Sequence, residues 1–167
     1  MEWTVSRESL VQLAINALTM HIQPSMSEND KIRLHNERYF AYMVITYLGK
    51  EIAIHGPPSQ KEYIHRLMKT VTYEWDENNL VFSSNEITRF NRCLHLTTYE
   101  FVWSDELADI VDETFEIRAE INMTPLLDEM TRELIFDIAP SIVRYGNEEQ
   151  LMHLNAFMEI ENVRDRT

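Results

Sequence analysis

Residues that form tight turns are scarce in this sequence, which contains three glycines and five prolines among its 167 residues. Two-residue β-hairpins and other turns with positive φ depend on glycine, so the composition favours helices over hairpins. The phosphate-binding patterns G-x-x-x-x-G-K-[ST] and G-x-G-x-x-G are both absent, as is the G-x-S-x-G nucleophile elbow. Enzymes that depend on these patterns are therefore excluded.

Cysteine and long apolar runs are also scarce. Cys93 is the only cysteine, so no internal disulfide can form, and nothing around it indicates an activated nucleophile. Residues 1–3 lack the charged and apolar regions of a secretion signal. The longest apolar run, residues 39–48, is shorter than the roughly 20 residues that span a bilayer. We therefore expect a cytoplasmic protein, in the host cytoplasm if it is viral, with no membrane partner.

Lysine and arginine are rare in one part of the chain. The formal net charge is −13. Residues 1–103 hold 12 acids and 10 bases, residues 104–149 hold 13 and 3, and residues 150–167 hold 3 and 2. Binding to nucleic acid or to anionic lipid requires clustered bases, so we expect no direct contact with either. The negative field around residues 104–149 instead predicts a basic protein surface as the partner.

Most of these acids fall into two helical patterns, at residues 104–121 and 125–138. Side chains three or four residues apart share a helix face, so each helix is expected to carry a row of carboxylates. We expect both rows to lie on one outer wall of the folded protein. The predicted partner-binding residues are Asp105, Asp109, Asp112, Glu113, Glu116, Glu120, Glu129, Glu133 and Asp137.

The hydrophobic pattern indicates an all-α fold. Hydrophobic residues make up 44% of the chain, which is enough for a core at this length, and they recur with helical period. We predict a single domain over residues 1–167, with about six helices around an apolar central helix at residues ~30–55. Residues 69–82 and 97–103 also fit β-strands, and the sequence leaves both alternatives open there.

Capping residues and prolines predict several helix ends. The predicted helix starts are Ser6, Ser27, Ser59, Thr124 and the pair Gly146-Asn147. Pro140 is predicted to end or kink the second acidic helix and to leave residues 142–143 in a short turn.

One pair of residues has the spacing of metal ligands. Glu62 and His65 form the E-x-x-H pattern, which helical di-iron proteins use twice. The nearest second copy, Gln150 with His153, has an amide in place of the carboxylate. We therefore predict no metal, no cofactor and no catalytic residue, and a metal-dependent enzyme using Glu62 and His65 is the least favoured alternative.

These features together predict a non-enzymatic binding protein. In size and charge the chain is similar to the small acidic helical proteins by which phages and mobile elements imitate DNA. We expect an inhibitor that docks its carboxylates into the basic DNA-binding groove or channel of a nuclease, a polymerase sliding clamp or a repressor. The alternative is a helical adaptor or assembly subunit, which would bind through an apolar groove or form a homodimer near Phe157 and Met158. In that case the acids would serve only solubility.

Overall fold

Six α-helices and no β-strand are present in the residues that a computed structural model of the protein describes, which are 4–20, 23–70, 103, 105–120 and 123–165. The helices are α1 (Val5–Thr19), α2 (Glu28–His55), α3 (Pro58–Thr70), α4 (Asp105–Glu120), α5 (Pro125–Tyr145) and α6 (Glu148–Asp165). The all-α prediction is confirmed. Most of residues 69–82, nearly all of 97–103, and Cys93 lie outside the described residues.

The central helix is α2, as the sequence predicts. It has 28 residues and is about 42 Å long at ~1.5 Å per residue. Its fully buried side chains are Phe40, Ala41, Val44, Ile45, Leu48 and Ile52. Four other helices contact α2, namely α1, α3, α4 and α5. The apolar middle of α2 therefore serves as the surface on which most of the bundle packs.

One continuous apolar core joins side chains from every described helix, from Leu10 in α1 to Phe157 in α6. The largest contribution of the later part of the chain comes from α5, where Met130, Leu134 and Ile138 are at most 2% exposed. Burial of each such side chain contributes roughly 1.5–3 kcal/mol. The core fixes which faces of α4, α5 and α6 remain at the surface.

Three of the predicted helix starts are capped as expected, two of them by a hydroxyl group and the third by the side-chain amide of Asn147. The hydroxyl of Ser27 accepts a hydrogen bond from the backbone N–H of Asp30 at 3.2 Å. The hydroxyl of Thr124 does the same for the N–H of Leu127, also at 3.2 Å, with proline in the first turn of α5. All three caps satisfy amides that have no partner inside the helix.

Two other predicted starts are wrong by one or two residues. α1 is capped by Thr4, whose hydroxyl accepts from the N–H of Arg7 at 3.2 Å, so the helix begins before Ser6. α3 begins at Pro58, one residue before Ser59. Proline suits the first helical position because its fixed φ is already helical and its missing N–H would have no partner there.

The predicted end of the helix at Pro140 is also wrong, whereas the alternative of a kink there stays a prediction. α5 continues through this proline as one helix to Tyr145, so residues 142–143 are helical and do not form a separate turn. Ile138 and Ile142 on either side of the proline are buried in the core, whereas Pro140 itself is exposed. Core packing holds the helix together across a residue that disfavours it.

Candidate partner-binding surface

The outward face of α4 carries four carboxylates, from Asp105, Asp109, Asp112 and Glu116, which we call the α4 row. All four residues are exposed, and their spacing of four, three and four residues keeps them on one face. The opposite face of the helix is buried, through Ile110, Val111 and Thr114 among others. The row is about 16 Å long at ~1.5 Å per residue. The structure therefore confirms the predicted helix and places these four acids on one exposed face of it.

The first and last acids of the α4 row, Asp105 and Glu116, have no basic neighbour among the described residues. Within the described part of the chain, no lysine or arginine lies within 4.0 Å of the carboxylates of Asp105 or Glu116. Asp112 accepts a hydrogen bond from the side-chain amide of Gln150, an uncharged donor, at 3.0 Å. Glu120 ends α4, and its side chain lies outside the described residues.

Glu113, which the sequence assigns to the same surface, points instead towards α2. The hydroxyl of Tyr39 donates a hydrogen bond to a carboxylate oxygen of Glu113 at 2.8 Å. The sequence shows Glu113 beside the row but cannot show that a tyrosine 74 residues earlier lies next to it.

The carboxylates of the second predicted row become less exposed along α5. Glu129 is exposed, Glu133 is half-buried, and the carboxylate of Asp137 is only 13% exposed. Nε of Arg7 lies 2.8 Å from one oxygen of Asp137, and the hydroxyl of Tyr47 donates to the other at 2.7 Å. Asp137 therefore joins α1, α2 and α5 and is not part of an accessible acidic surface.

Electrostatics at this pair favour the charged state of the arginine. Burial lowers the pKa of Arg7, but the hydrogen bond and negative charge of Asp137 outweigh that effect, and the pKa lies above its usual value. Arg7 is consequently a permanent cation held against Asp137.

The expectation that both rows form one outer wall fails for the α5 row, because Asp137 is nearly buried in its ion pair with Arg7 and Glu133 is half-buried. α4 and α5 face each other through apolar side chains, since Ile110 and Val111 of α4 line the same narrow gap as Leu134 and Ile138 of α5. Of the α5 row, only Glu129 is fully exposed. The exposed carboxylates therefore lie mainly on α4.

Three arginines gather around Asp128 where α4, α5 and α6 meet. Arg118, Arg132 and Arg164 approach its carboxylate to 3.1, 3.5 and 3.4 Å. Arg132 and Arg164 also lie 3.9 and 3.6 Å from the buried carboxylate of Glu161. Two of the three bases of residues 104–149 are thus engaged in an internal cluster.

The residues that suggested a metal site have other roles where the structure describes them. Gln150 and Asn147 cap α6 reciprocally, because the N–H of Gln150 donates to Oδ1 of Asn147 at 2.8 Å and the N–H of Asn147 donates to Oε1 of Gln150 at 3.0 Å. His153 stacks on Phe115 with ring centroids 5.5 Å apart. Glu62 is exposed on α3. Among the described residues, no group of three histidine, cysteine, aspartate or glutamate side chains is placed to hold a metal ion.

A surface that the sequence assigned incorrectly lies on α6. Phe157, proposed as part of a self-association face, is 5% exposed, and Met158 packs half-buried against the core. The exposed apolar residues of the helix are instead Met152, Ile160 and Val163, at 60, 64 and 63%. α6 has two apolar arcs, and helical period alone does not show which one faces the core.

No protein-family profile matches the chain, and no curated protein or solved structure shows significant similarity to it. None of the described helices has the length and apolar character needed to cross a membrane.

Proposed function

We propose that the protein is a non-enzymatic acidic binding protein, which docks the α4 row into the basic DNA-binding groove or channel of a nucleic-acid-processing protein and inhibits it. The observation that carries the proposal is the exposure of four carboxylates on one helix face. Arg118 and Arg132, two bases of residues 104–149, contact Asp128 at the junction of α4, α5 and α6. The four exposed carboxylates of α4 would attract a basic surface.

The dimensions of the row narrow the kind of groove that it fits. Four charges over about 16 Å give one charge per roughly 5 Å, whereas one DNA strand carries a phosphate per roughly 3.4 Å of axis and a duplex one per roughly 1.7 Å. Because only Glu129 of the α5 row is fully exposed, the surface imitates one strand and not two. A channel that holds a single strand, or one wall of a duplex groove, is the matching target.

A matched pair of charge reversals tests this docking. The Asp109→Lys/Glu116→Lys variant changes the α4 row, and Glu129→Lys/Glu133→Lys changes the net charge by the same amount on α5. A basic protein retained from cell extract on the immobilised wild-type protein would be purified and bound to fluorescent single-stranded DNA. We expect the wild-type protein to displace that DNA, with an inhibition constant raised at least tenfold by the α4 reversal and little changed by the α5 reversal.

Two results would contradict the proposal. The first is that the retained protein keeps its DNA at saturating concentrations of the wild-type protein. The second is that both reversals weaken displacement equally, because the effect would then follow net charge and not the α4 face. A displacement that does not weaken between about 50 and 200 mM salt would also argue against ionic docking.

A second candidate is favoured by the exposed apolar residues of α6. It is an assembly subunit that acts through this apolar surface, with the acids maintaining solubility. Its binding would persist at salt concentrations that abolish docking through α4.

A further inference from the structure

The outward face of α6 carries a short apolar stripe formed by Met152, Ala156, Ile160 and Val163. Their spacing of four, four and three residues places them on one side of the helix, and all four are exposed. Met152, Ile160 and Val163 each expose at least 60% of their surface. This level of exposure on three large apolar residues of one helix face indicates an interaction surface.

We infer that this stripe is the contact surface of a homodimer, in which α6 packs antiparallel against α6 of a second copy. The inference specifies the partner of the apolar surface of the second candidate and is independent of the α4 row. A two-fold axis passing near Ala156 generates the contact. Because alanine is small, the two helix backbones can approach closely at that point.

The order of residues along the stripe sets the contacts of the antiparallel arrangement. Antiparallel pairing around this axis places Met152 of one copy beside Ile160 of the other, and Ala156 beside its own symmetry mate. The same operation brings Glu149, near the start of α6, next to Arg164, near its end. The two-fold symmetry produces each of these contacts twice.

Charge complementarity separates this arrangement from the parallel one. In a parallel pair each Glu149 would face Glu149 of the second copy, and each Arg164 would face Arg164, which is unfavourable. Glu149 is exposed, with its carboxylate 3.7 Å from His153 of its own helix. Arg164 is 53% exposed, and the several N–H groups of its guanidinium can serve Asp128, Glu161 and a further carboxylate together.

The size of the contact sets the expected strength. α6 is 18 residues long, or about 27 Å, so one helix pair buries less than the roughly 800 Å² per partner of a standard interface. The dimer is therefore expected to dissociate in the micromolar range, and it must be measured at high protein concentration.

Sedimentation equilibrium of the full chain, from about 5 to 300 μM, tests the dimer. We expect a monomer–dimer equilibrium for the wild-type protein, with a dissociation constant raised at least tenfold in Val163→Glu. The matched control is Val5→Glu, because Val5 is also exposed, at 80%, but lies on α1. A wild-type monomer at 300 μM, or equal weakening by both variants, would overturn the inference.

The antiparallel direction and the register of the two α6 helices are tested by further variants. In a Cys93→Ser background, Ala156→Cys should give a disulfide-linked dimer on mild oxidation. Ala119→Cys, which replaces an exposed alanine of α4, should not. Glu149→Arg should weaken the dimer several-fold, and adding Arg164→Glu should restore it. A double variant no tighter than the single one would rule out the antiparallel contact.

The homodimer and the docking of the α4 row are tested independently by different variants. Val163→Glu should still displace DNA from the target of the α4 row, and Asp109→Lys/Glu116→Lys should still dimerise. If Val163→Glu loses both properties while its circular dichroism is unchanged, the two surfaces are not independent, and this assignment of α6 is wrong.

Discussion

Asp137 is the acid for which the structure assigns the most definite role. Both its oxygens are engaged, one by Arg7 and one by Tyr47, and the ion-paired side chains are only 10 and 13% exposed. Asp137→Ala is expected to lower the free energy of unfolding by about 3 kcal/mol, because it leaves the arginine charge nearly buried without its partner. Urea denaturation followed by circular dichroism at 222 nm measures the change.

Two controls separate the ion pair from the general effect of removing an acid. Glu129→Ala, at an exposed position of the same helix, should change stability by no more than about 0.5 kcal/mol. Replacing both partners by apolar residues, as in Arg7→Met/Asp137→Leu, should recover most of the loss. If Asp137→Ala costs less than about 1 kcal/mol, the pair does not anchor α1 to α5.

Pro140 shows how a whole element overrides a local preference. Proline cannot donate to the carbonyl of Phe136 four residues earlier, and both residues lie on the solvent side of α5, where Phe136 is 42% exposed. Water can therefore reach the carbonyl. We expect Pro140→Ala to raise the free energy of unfolding by about 2 kcal/mol, since it restores the hydrogen bond and removes a poor helix former.

Pro125 provides the matched control for this prediction. It lies in the first turn of α5, where a missing N–H costs nothing and the fixed φ favours the helix. Pro125→Ala should therefore leave stability unchanged or slightly lower. Thermal and urea denaturation of the two variants compare them directly, and a destabilised Pro140→Ala would show that the proline shapes α5 in a way the core requires.

Local features of the helices could be predicted from the sequence, but their orientation could not. The caps at Ser27 and Thr124 need only residues three positions away, and the apolar period of α2 lies within one segment. The placement of Asp137 depends on its ion pair with Arg7, which lies 130 positions earlier in the sequence. The two apolar arcs of α6 have similar composition, so only the packing of α6 on α4 and α5 decides that Phe157 is buried and Ile160 exposed.

At the scale of the whole molecule, a net charge of −13 produces self-repulsion. Asp109 and Glu116 belong to a row of like charges that adds to it. We expect the melting temperature to rise with added sodium chloride up to about 0.5 M, because salt screens this repulsion. Glu116→Gln should be more stable than the wild type by about 0.3 kcal/mol at low salt and should respond less to added salt.

A removed acid that has a basic neighbour should behave in the opposite way. Glu28 lies 3.7 Å from Lys31 on α2, so Glu28→Gln should give no stabilisation at low salt. Equal stabilisation by both substitutions would show that total charge matters and that the placement of the α4 row does not.

The ion pair between Arg7 and Asp137 also determines when α1 can reach its final packing during synthesis. Because Asp137 follows Arg7 by 130 positions in the sequence, α1 leaves the ribosome long before Asp137 is translated. Until then it can pack against α2, and the side-chain amide of Gln60 in α3 can donate to the backbone carbonyl of Glu8. α1 therefore reaches its final packing late in synthesis, when the segment that contains α5 emerges. The ion pair then joins α1 to the last third of the chain.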